Sequence, residues 1–306
     1  MAARMAGTGV EDMMSDARPP AAEEVEPHRR RLFGLAYRML GSAAEAEDVV
    51  QETFLRWASA DRATVDNPAG WLTTVCSRLC VDRLRSAHRR REEYVGPWLP
   101  EPLITEEADA ADSVLEHESL TLAFLVVLDT LTPPERVAFL LHDVFGHPHD
   151  EIAQMLGRST ASVRQLASRA RRRVREARVP TPVPRDEGEA LVDAFVTATA
   201  GGDLDRLLEL LAPDVEMTSD GGGVVSAARR PVTGAAAVAR FLLGLGRRAD
   251  ESYELRPTRV NGAPGLVVLR DGRPDSVFAL TAADGRVTQI HVVRNPDKLR
   301  GVDVRP

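Results

Sequence analysis

The most basic part of the chain is residues 158–178, where eight arginines stand against one glutamate in a protein with a formal net charge of −7. Guanidinium groups bind phosphates and can read guanine through two parallel hydrogen bonds, so this block has the chemistry of a nucleic-acid surface. A surface helix with solvated arginines is the alternative interpretation. The candidate contacts are Ser159, Thr160, Ser162, Arg164, Gln165, Ser168, Arg169, Arg171 and Arg172.

The apolar pattern around these residues predicts a helix-turn-helix. Residues 150–156 have the spacing of a short helix, Gly157 suits a left-handed turn, and Ser159 or Thr160 can cap a second helix. In this motif the second helix enters the major groove of duplex DNA. That helix has one apolar face, made by Val163, Leu166, Ala167, Ala170 and Val174.

Residues 113–178 are predicted to form one helical domain of four helices. Two capping boxes, Ser113 with Glu116 and Thr132 with Glu135, open helices upstream of the basic block. Three histidines fall close together in this domain: His142, His147 and His149. No acidic or cysteine residues accompany them at ligand spacing, so loop or core positions are favoured over a metal site.

A second basic block, residues 28–91, holds 12 arginines against 7 acidic residues and is also predicted to be helical. Ser42 opens one helix with a capping box, and Asn67 caps the next. Cys76 and Cys80 lie four residues apart on the apolar face of that helix, where core packing is favoured over a redox pair. Two basic blocks on predicted helices are typical of a protein that touches a polyanion twice.

The region between the basic blocks, residues 92–157, carries 14 acidic residues against one arginine. It begins with an acidic linker, 92–112, that contains the stretch WLPEP at 98–102, in which Trp98, Leu99 and Pro100 are apolar. Prolines favour an extended segment that could lie in a groove, so this stretch is expected to need a partner surface.

The composition argues against several classes of protein. Residues 1–27 are acidic and lack the apolar core of a signal peptide, and we expect them to form a disordered tail. The chain has no run of 18 apolar residues to span a membrane, and its two cysteines give no disulfide framework. We therefore expect a cytoplasmic protein with no membrane contact, cofactor or metal.

Three segments, AEDVVQETFLRWA, NPAGWLTTVCSRLCVDRLR and DEIAQMLGRSTASVRQLASRARRRV, resemble the extracytoplasmic-function class of RNA polymerase sigma factors. The resemblance covers residues 28–178 and implies sigma region two over 28–91 and sigma region four over 113–178. It also implies binding to core RNA polymerase, through the beta and beta-prime subunits, and to promoter DNA. Region four would read the minus-35 duplex with the residues named above.

By the same resemblance, Asp48, Gln51 and Glu52 would dock on the beta-prime clamp of the polymerase. The loop 61–67 and the helix after it would read the minus-ten element as a single strand. No catalytic residue is expected, because the nucleotide chemistry belongs to the polymerase. The candidate minus-ten contacts are Asn67, Arg78, Asp82 and Arg85.

Beyond a proline-rich joint at 179–185, residues 186–306 are predicted to form an α+β domain with helices over a curved antiparallel sheet. This domain resembles the cone-shaped SnoaL-like fold, which one subgroup of the sigma class carries at its C-terminus. The expected fold class is therefore multidomain. It comprises two all-α sigma domains, the second a helix-turn-helix, followed by an α+β SnoaL-like domain.

Three short stretches resemble that subgroup: WLPEP, DGGG at 220–223 and NPDKL at 295–299, although Val224 stands where the subgroup usually has lysine. The resemblance implies a built-in regulator that contacts the linker and replaces a separate anti-sigma protein. Alternatively, WLPEP packs on the sigma domains and NPDKL only caps the last strand. The candidate regulatory contacts are Trp98, Leu99, Pro100, Glu101, Pro102, Asp220, Gly221, Gly222, Gly223, Asn295, Pro296, Asp297, Lys298 and Leu299.

Three other functions stay open at this point. The last domain could bind a small ligand in a cavity, or act as an enzyme if His291 or Asp220 lines that cavity as an acid or base. A lone strand histidine is more often structural and fold does not imply function, so we expect no enzyme. The chain could also be a helix-turn-helix regulator that works without polymerase and senses a small ligand, which the helix AEDVVQETF disfavours.

Overall fold

The computed structural model describes residues 21–92, 94–105, 121–177 and 183–303 of the 306-residue chain. Within these ranges, two helical units precede an α+β unit. No helix among the described residues is long and apolar enough to cross a membrane. The helix start expected at Ser113 and the first part of the proline-rich joint lie outside these ranges.

The first helical unit packs its long helices around an apolar core that includes Trp57 and both cysteines. Gly41 ends the second helix in the left-handed conformation, and the Ser42 side chain caps the third by accepting from the Glu45 amide. The elements are α1 (Ala21–Val25), a 3₁₀ turn (Glu26–His28), α2 (Arg29–Leu40), α3 (Ala43–Ala58), a 3₁₀ turn (Arg62–Thr64) and α4 (Pro68–Glu92).

The expectation of a disordered tail through residue 27 was wrong for residues 21–27. Val25 is buried in the core of the first unit. The Glu24 carboxylate accepts hydrogen bonds from the Trp57 indole at 3.0 Å and from Arg62 at 3.2 Å. These contacts order the segment through residues that are distant in sequence, which its polar composition could not reveal.

The second helical unit, within residues 121–177, has the four expected helices and confirms the helix-turn-helix. The capping box between Thr132 and Glu135 is present. Gly157 makes the turn with a φ of 61°, and Ser159 caps the last helix by accepting from the Ser162 amide. The elements are α5 (Leu122–Asp129), α6 (Pro133–Phe139), a π-helical segment (Leu140–Val144), α7 (His149–Leu156) and α8 (Thr160–Glu176).

The α+β unit, within residues 183–303, contains a six-stranded sheet in the order β2-β1-β6-β5-β4-β3. Asp271 and Gly272, both with positive φ, form the tight turn of a hairpin. The elements are α9 (Arg185–Ala200), α10 (Leu204–Leu210), β1 (Leu211–Asp220), β2 (Val232–Thr233), α11 (Ala235–Gly246), β3 (Tyr253–Val260), β4 (Ala263–Arg270), β5 (Arg273–Ala283), β6 (Arg286–Val293) and α12 (Pro296–Leu299).

The sheet differs from the expected fully antiparallel one because β1 pairs in parallel with β6, with Thr218 opposite His291. A parallel pair needs a long crossover connection, which here contains α11 and the meander from β3 to β5. The two-residue strand β2, which pairs with β1, was not anticipated either.

The two faces of this sheet pack against different parts of the chain. One face, which includes Met217, Leu280 and Ile290, shares an apolar core with helices α9 to α11. The opposite face, which includes Val267 and Val277, belongs to one continuous core with both helical units. The α+β unit is therefore joined to the helices by buried apolar surface as well as by the chain itself.

A buried arginine joins the two helical units to each other. The Arg136 guanidinium on α6 donates to the Met39 carbonyl on α2 and to the Leu128 carbonyl, both at 2.8 Å. It also donates to the Asp129 carboxylate at 2.7 Å. A buried charge is costly unless its donors are satisfied, so these bonds fix α6 against α2.

A buried carboxylate organises the second helical unit in a similar way. Glu135 accepts hydrogen bonds from the Thr132 hydroxyl at 2.8 Å, from Arg169 at 3.0 Å and from Arg173 at 2.7 Å. Burial alone would raise the pKa of Glu135. The hydrogen bonds from Thr132 and the two arginines of α8 outweigh burial and lower the pKa below its ordinary value of 4.5.

We predict that acid destabilises this unit through Glu135. Because the pKa is lower in the folded state, the stabilisation is present above pH 4.5, the ordinary pKa, and is lost as the pH falls through the folded value. Glu135→Gln should cost about 2 kcal/mol of unfolding free energy at neutral pH and progressively less in acid, as urea denaturation would measure. Glu176→Gln on the exposed end of α8 is the control. A pH-independent difference between wild type and Glu135→Gln would contradict the prediction.

Candidate functional site

The linker segment 94–105 lies between the helices of the first unit and the sheet of the α+β unit. Ile104 forms an isolated β-bridge with Val260 at the end of β3. The Thr105 amide donates to the Arg259 carbonyl at 3.0 Å. The linker therefore extends the edge of the sheet and fixes the α+β unit relative to the helices.

Asp220, at the end of β1, is the centre of the contact between linker and sheet. Its side chain is completely buried, and among the described residues it accepts four hydrogen bonds. The donors are the Tyr94 hydroxyl at 2.6 Å, the Leu99 amide at 2.8 Å, the Gly222 amide at 2.9 Å and the Lys298 ammonium at 2.6 Å. Linker, glycine turn and C-terminal helix α12 thus meet on one carboxylate.

Lys298 supplies the positive charge at this centre and is the only lysine in the chain. Its ammonium also donates to the Leu99 carbonyl at 2.5 Å. It lies 4.2 Å from the centroid of the Trp98 ring and 5.1 Å from that of Tyr94, within range of cation–π attraction. Burial, together with the neighbouring Asp220 carboxylate, raises the pKa of the Tyr94 hydroxyl, so Tyr94 stays a donor.

The glycines of the DGGG turn are required by close approach. A Cβ on Gly222, where φ is +65°, would lie 2.5 Å from the Asn295 side chain, and one on Gly221 would lie 2.5 Å from the Val225 carbonyl. Asn295 donates to the Tyr94 hydroxyl at 2.8 Å and accepts from the Asp297 amide, which starts α12. The turn, the start of α12 and the linker are therefore packed as one unit.

Glu101 connects the same linker to the first helical unit. Its carboxylate accepts from the Ser42 hydroxyl at 2.8 Å and from the Ala43 amide at 2.7 Å, at the positive N-terminus of α3. Its carbonyl accepts from the Tyr37 hydroxyl at 2.5 Å, and that hydroxyl accepts from the Asn261 side chain at 2.7 Å. The capping box predicted at Ser42 did not include Glu101, which lies far away in sequence.

Tyr37 and Asn261 are site residues that the sequence did not indicate. Asn261 adopts a positive φ in the turn between β3 and β4, and its side-chain oxygen accepts from the Leu103 amide at 3.0 Å. The Asn-Gly pair signals a hairpin turn, which is a sign of the conformation but not of this contact. Tyr37 is buried on α2 and is indistinguishable in sequence from a core aromatic.

Most of the predicted regulatory contacts come together at this interface. Trp98, Leu99, Asp220, Asn295 and Lys298 are in direct contact, and Pro100 and Pro102 are buried. The Trp98 ring lies against Gly41, where an added Cβ would be 2.7 Å from it. WLPEP thus packs on both the first helical unit and the α+β unit. The sequence had suggested these two packing surfaces as alternatives, and the structure contains both.

The candidate minus-35 residues on α8 divide into two groups. Arg164, Gln165, Ser168 and Arg172 are exposed. Arg169 is also half exposed but donates to Glu135 at 3.0 Å, and the partly buried Arg171 donates to Asp143 at 2.5 Å, so ion pairs with other parts of the unit orient these two arginines. Thr160 and Ser162 are partly buried in the first turn, which Ser159 caps.

The candidate contacts on the first helical unit also lie on shared faces. Asp48 and Gln51 are exposed on α3 and Glu52 is partly buried beside them. Arg83 of α4 lies 3.5 Å from the Asp48 carboxylate and 3.7 Å from that of Glu52. The candidate minus-ten residues Arg78 and Asp82 are exposed one turn apart on α4, Asn67 accepts from the Gly70 amide at its start, and Arg85 lies in the same helix.

The residues considered for acid–base chemistry lie on the sheet face turned towards the helical units. His291 is paired across the sheet with Ala279, which belongs to the core shared with those units. Burial lowers the pKa of His291 to about 4, so it is neutral near pH 7. Asp220 is occupied by its four donors, and neither residue faces the core beneath α9 to α11.

The histidine cluster and the cysteines have structural surroundings. The His142 and His149 rings are 3.8 Å apart, and His142 Nδ1 bonds to the His147 carbonyl. No group of three potential metal ligands occurs within the described residues. Cys76 and Cys80 are buried, and burial raises the pKa of the Cys80 thiol, which keeps it protonated.

Comparison with known proteins gives matches over nearly the whole chain. Residues 25–90 match the family model for sigma-70 region 2, residues 121–174 that for sigma-70 region 4, and residues 192–299 that for a SnoaL-like domain. The ECF RNA polymerase sigma factor SigJ of Mycobacterium tuberculosis is 43% identical over 293 residues, covering 91% of this chain and 93% of that protein.

Two further matches agree with this. The probable ECF RNA polymerase sigma factor SigI of the same organism is 36% identical over 283 residues, covering 92% of this chain and 95% of that protein. The crystal structure of Mycobacterium tuberculosis SigJ has a TM-score of 0.75 and 38% sequence identity, covering 93% of this chain and 100% of that one. The similarity includes the three units and their order.

We predict that Asp220→Asn loosens the linker. The neutral side chain introduced by this change leaves the Lys298 ammonium buried without its counter-charge. This should lower the free energy of unfolding by about 3 kcal/mol and increase hydrogen exchange of the backbone amides in 94–105. Asp214→Asn, exposed on the same strand, is the control. Replacing both partners, as Asp220→Asn with Lys298→Met, should recover part of the loss. Equal exchange in the Asp220 and Asp214 variants would contradict the prediction.

Proposed function

This chain belongs to the extracytoplasmic-function sigma factors that carry a C-terminal SnoaL-like domain, and from that premise we propose how it acts. It binds core RNA polymerase in the cytoplasm, recognises minus-35 and minus-ten promoter elements, and initiates transcription. Its SnoaL-like domain regulates these steps in cis through the linker and has no catalytic role. The observation that carries the regulatory part is the buried contact of Asp220 with Tyr94, Leu99 and Lys298.

The exposed face of α8 is the proposed minus-35 reader. Arg164, Gln165, Ser168 and Arg172 project from the second helix of a helix-turn-helix, the position from which side chains reach base edges in the major groove. Arg169 and Arg171 lie at the edge of this face, where they donate hydrogen bonds to Glu135 and Asp143 respectively. These two arginines are therefore assigned to phosphate contacts near the groove rather than to base reading.

The first helical unit is the proposed minus-ten and clamp-binding module. Asp48, Gln51 and Glu52 form an acidic, hydrogen-bonding strip on α3 for the beta-prime clamp. The loop 61–67 with Asn67, Arg78, Asp82 and Arg85 captures the opened strand. Base capture by a basic groove suits single-stranded DNA, whose unstacked bases can enter pockets.

The packed arrangement of the two helical units must open for promoter binding. Elements centred 35 and ten base pairs upstream of the start lie roughly 85 Å apart at 3.4 Å per base pair. The Arg136 bond to the Met39 carbonyl holds the units in direct contact, so they cannot reach both elements at once. We therefore assign the packed arrangement to the free protein, held by the linker contact in place of a separate anti-sigma protein.

We predict that Arg164→Ala and Arg172→Ala weaken minus-35 reading. In transcription with core polymerase from randomised promoters, loss of a base contact should reduce the minus-35 preference about tenfold while the minus-ten preference persists. Arg240→Ala, exposed on α11, is the matched control. If the wild-type chain initiates nowhere yet binds duplex DNA, the sigma function is overturned and a polymerase-independent regulator replaces it.

We also predict that the linker contact opens when the chain binds core polymerase. Lys298 can report this opening because it is the only lysine in the chain. Its amine is buried in the packed protein, so an amine-acylating reagent should label it slowly. Core polymerase should raise the rate about tenfold if the linker contact breaks on binding. Labelling is read on the peptide that contains Lys298, and the chain's terminal amine is the internal control. An unchanged rate with polymerase would contradict opening at this contact.

A further inference from the structure

The N-terminal helix α1 contacts the base of the loop that precedes α4. One oxygen of the Glu24 carboxylate accepts from the Trp57 indole nitrogen at 3.0 Å and from the Arg62 guanidinium at 3.2 Å. Both charged side chains are mostly buried, with 13% of Glu24 and 26% of Arg62 exposed. An ion pair in this environment is screened less than one on the surface, so it can fix the position of its partners.

The partners of Glu24 stand at a structurally defined point. Trp57 ends α3 in the core and makes an edge-to-face contact with Trp71 of α4, with ring centroids 5.2 Å apart. Arg62 begins the 3₁₀ turn of the loop. Glu24 therefore holds the start of the loop, while Asn67 holds its end by capping α4.

The loop between these two anchors is the part that faces solvent. Ala63, Thr64, Asp66 and Asn67 are exposed, whereas Arg62 and Val65 are partly buried. A short loop fixed at both ends presents its exposed groups in one arrangement. Such preorganisation lowers the entropy lost when a strand is bound, and it sharpens discrimination between bases because wrong bases cannot be accommodated by loop movement.

We infer that Glu24 is a positioning residue for minus-ten recognition: through Arg62 and Trp57 it holds the 61–67 loop in the arrangement that selects bases. This inference rests on the proposed minus-ten function of that loop. Glu24 immediately precedes the residues that match the sigma-70 region 2 family model, which starts at residue 25.

The experiment uses the full chain with core polymerase and a promoter pool that has a fixed, preferred minus-35 element and a randomised minus-ten element. Glu24→Ala should lower the ratio between the best and worst base at the selected minus-ten positions about fivefold. A reciprocal pool with a randomised minus-35 element should give an unchanged profile. Glu23→Gln, exposed on the same helix and equal in charge change to Glu24→Gln, is the matched control.

Glu24→Gln guards against simple loss of folding, since it keeps an acceptor for the indole while it removes the charge that binds Arg62. A relaxed minus-ten profile in both Glu24 variants, with the minus-35 profile unchanged, supports the inference. Unchanged minus-ten profiles, or equal relaxation of both profiles, overturn it. If the wild-type chain does not initiate at all, the proposed function itself fails, which is a distinguishable result.

A second arm tests whether Glu24 acts through Arg62. Arg62→Ala should reproduce the relaxed profile, and the double variant with Glu24→Ala should add little to either single change, because both remove the same anchor. Additive effects would overturn the assignment of Arg62 as the group that Glu24 positions.

Discussion

The buried Asp220 carboxylate must have hydrogen-bond donors, and the packing of the linker, the glycine turn and α12 against one another follows from the groups that supply them. A buried carboxylate without partners would be far too costly, so the Leu99 amide, the Tyr94 hydroxyl and the Lys298 ammonium must all reach one point. They come from the linker and from the C-terminal end of the chain. The glycines of the DGGG turn follow from the same requirement, since Gly222 leaves room for Asn295 beside the carboxylate.

The favourable Asp220 contact is opposed by the unfavourable burial of an arginine elsewhere in the packed protein. Arg38 is buried on α2 beside the Phe145 ring, and its Nε has no hydrogen-bond partner among the described residues. Its guanidinium donates to the Gly34 carbonyl, and burial lowers its pKa to about 10. An arginine buried in this way destabilises the interface between the helical units. The packed arrangement is thus a balance between the Asp220 contact and the buried Arg38.

Local sequence signals predicted the elements well because each depends on neighbouring residues. Gly157 with Ser159 defines the helix-turn-helix, Asn67 defines the start of α4, and Asp271 with Gly272 defines a hairpin. The parallel pairing of β1 with β6 and the order in residues 21–27 depend instead on residues far apart in sequence. Periodicity carries no information on such pairs.

The candidate surfaces show the same division. The apolar stripe of α8 predicted which side chains point outward, but Arg169 and Arg171 are directed by Glu135 and Asp143 from other helices. These two carboxylates bind arginines on the flank of α8, whereas Arg164 and Arg172 remain exposed. The net charge of the chain says little about this face, because a buried acid that orients an arginine and an exposed acid that repels phosphate count equally in the total. The placement of acids relative to α8, rather than their number, determines how a chain with a charge of −7 can present a basic face on its helix-turn-helix.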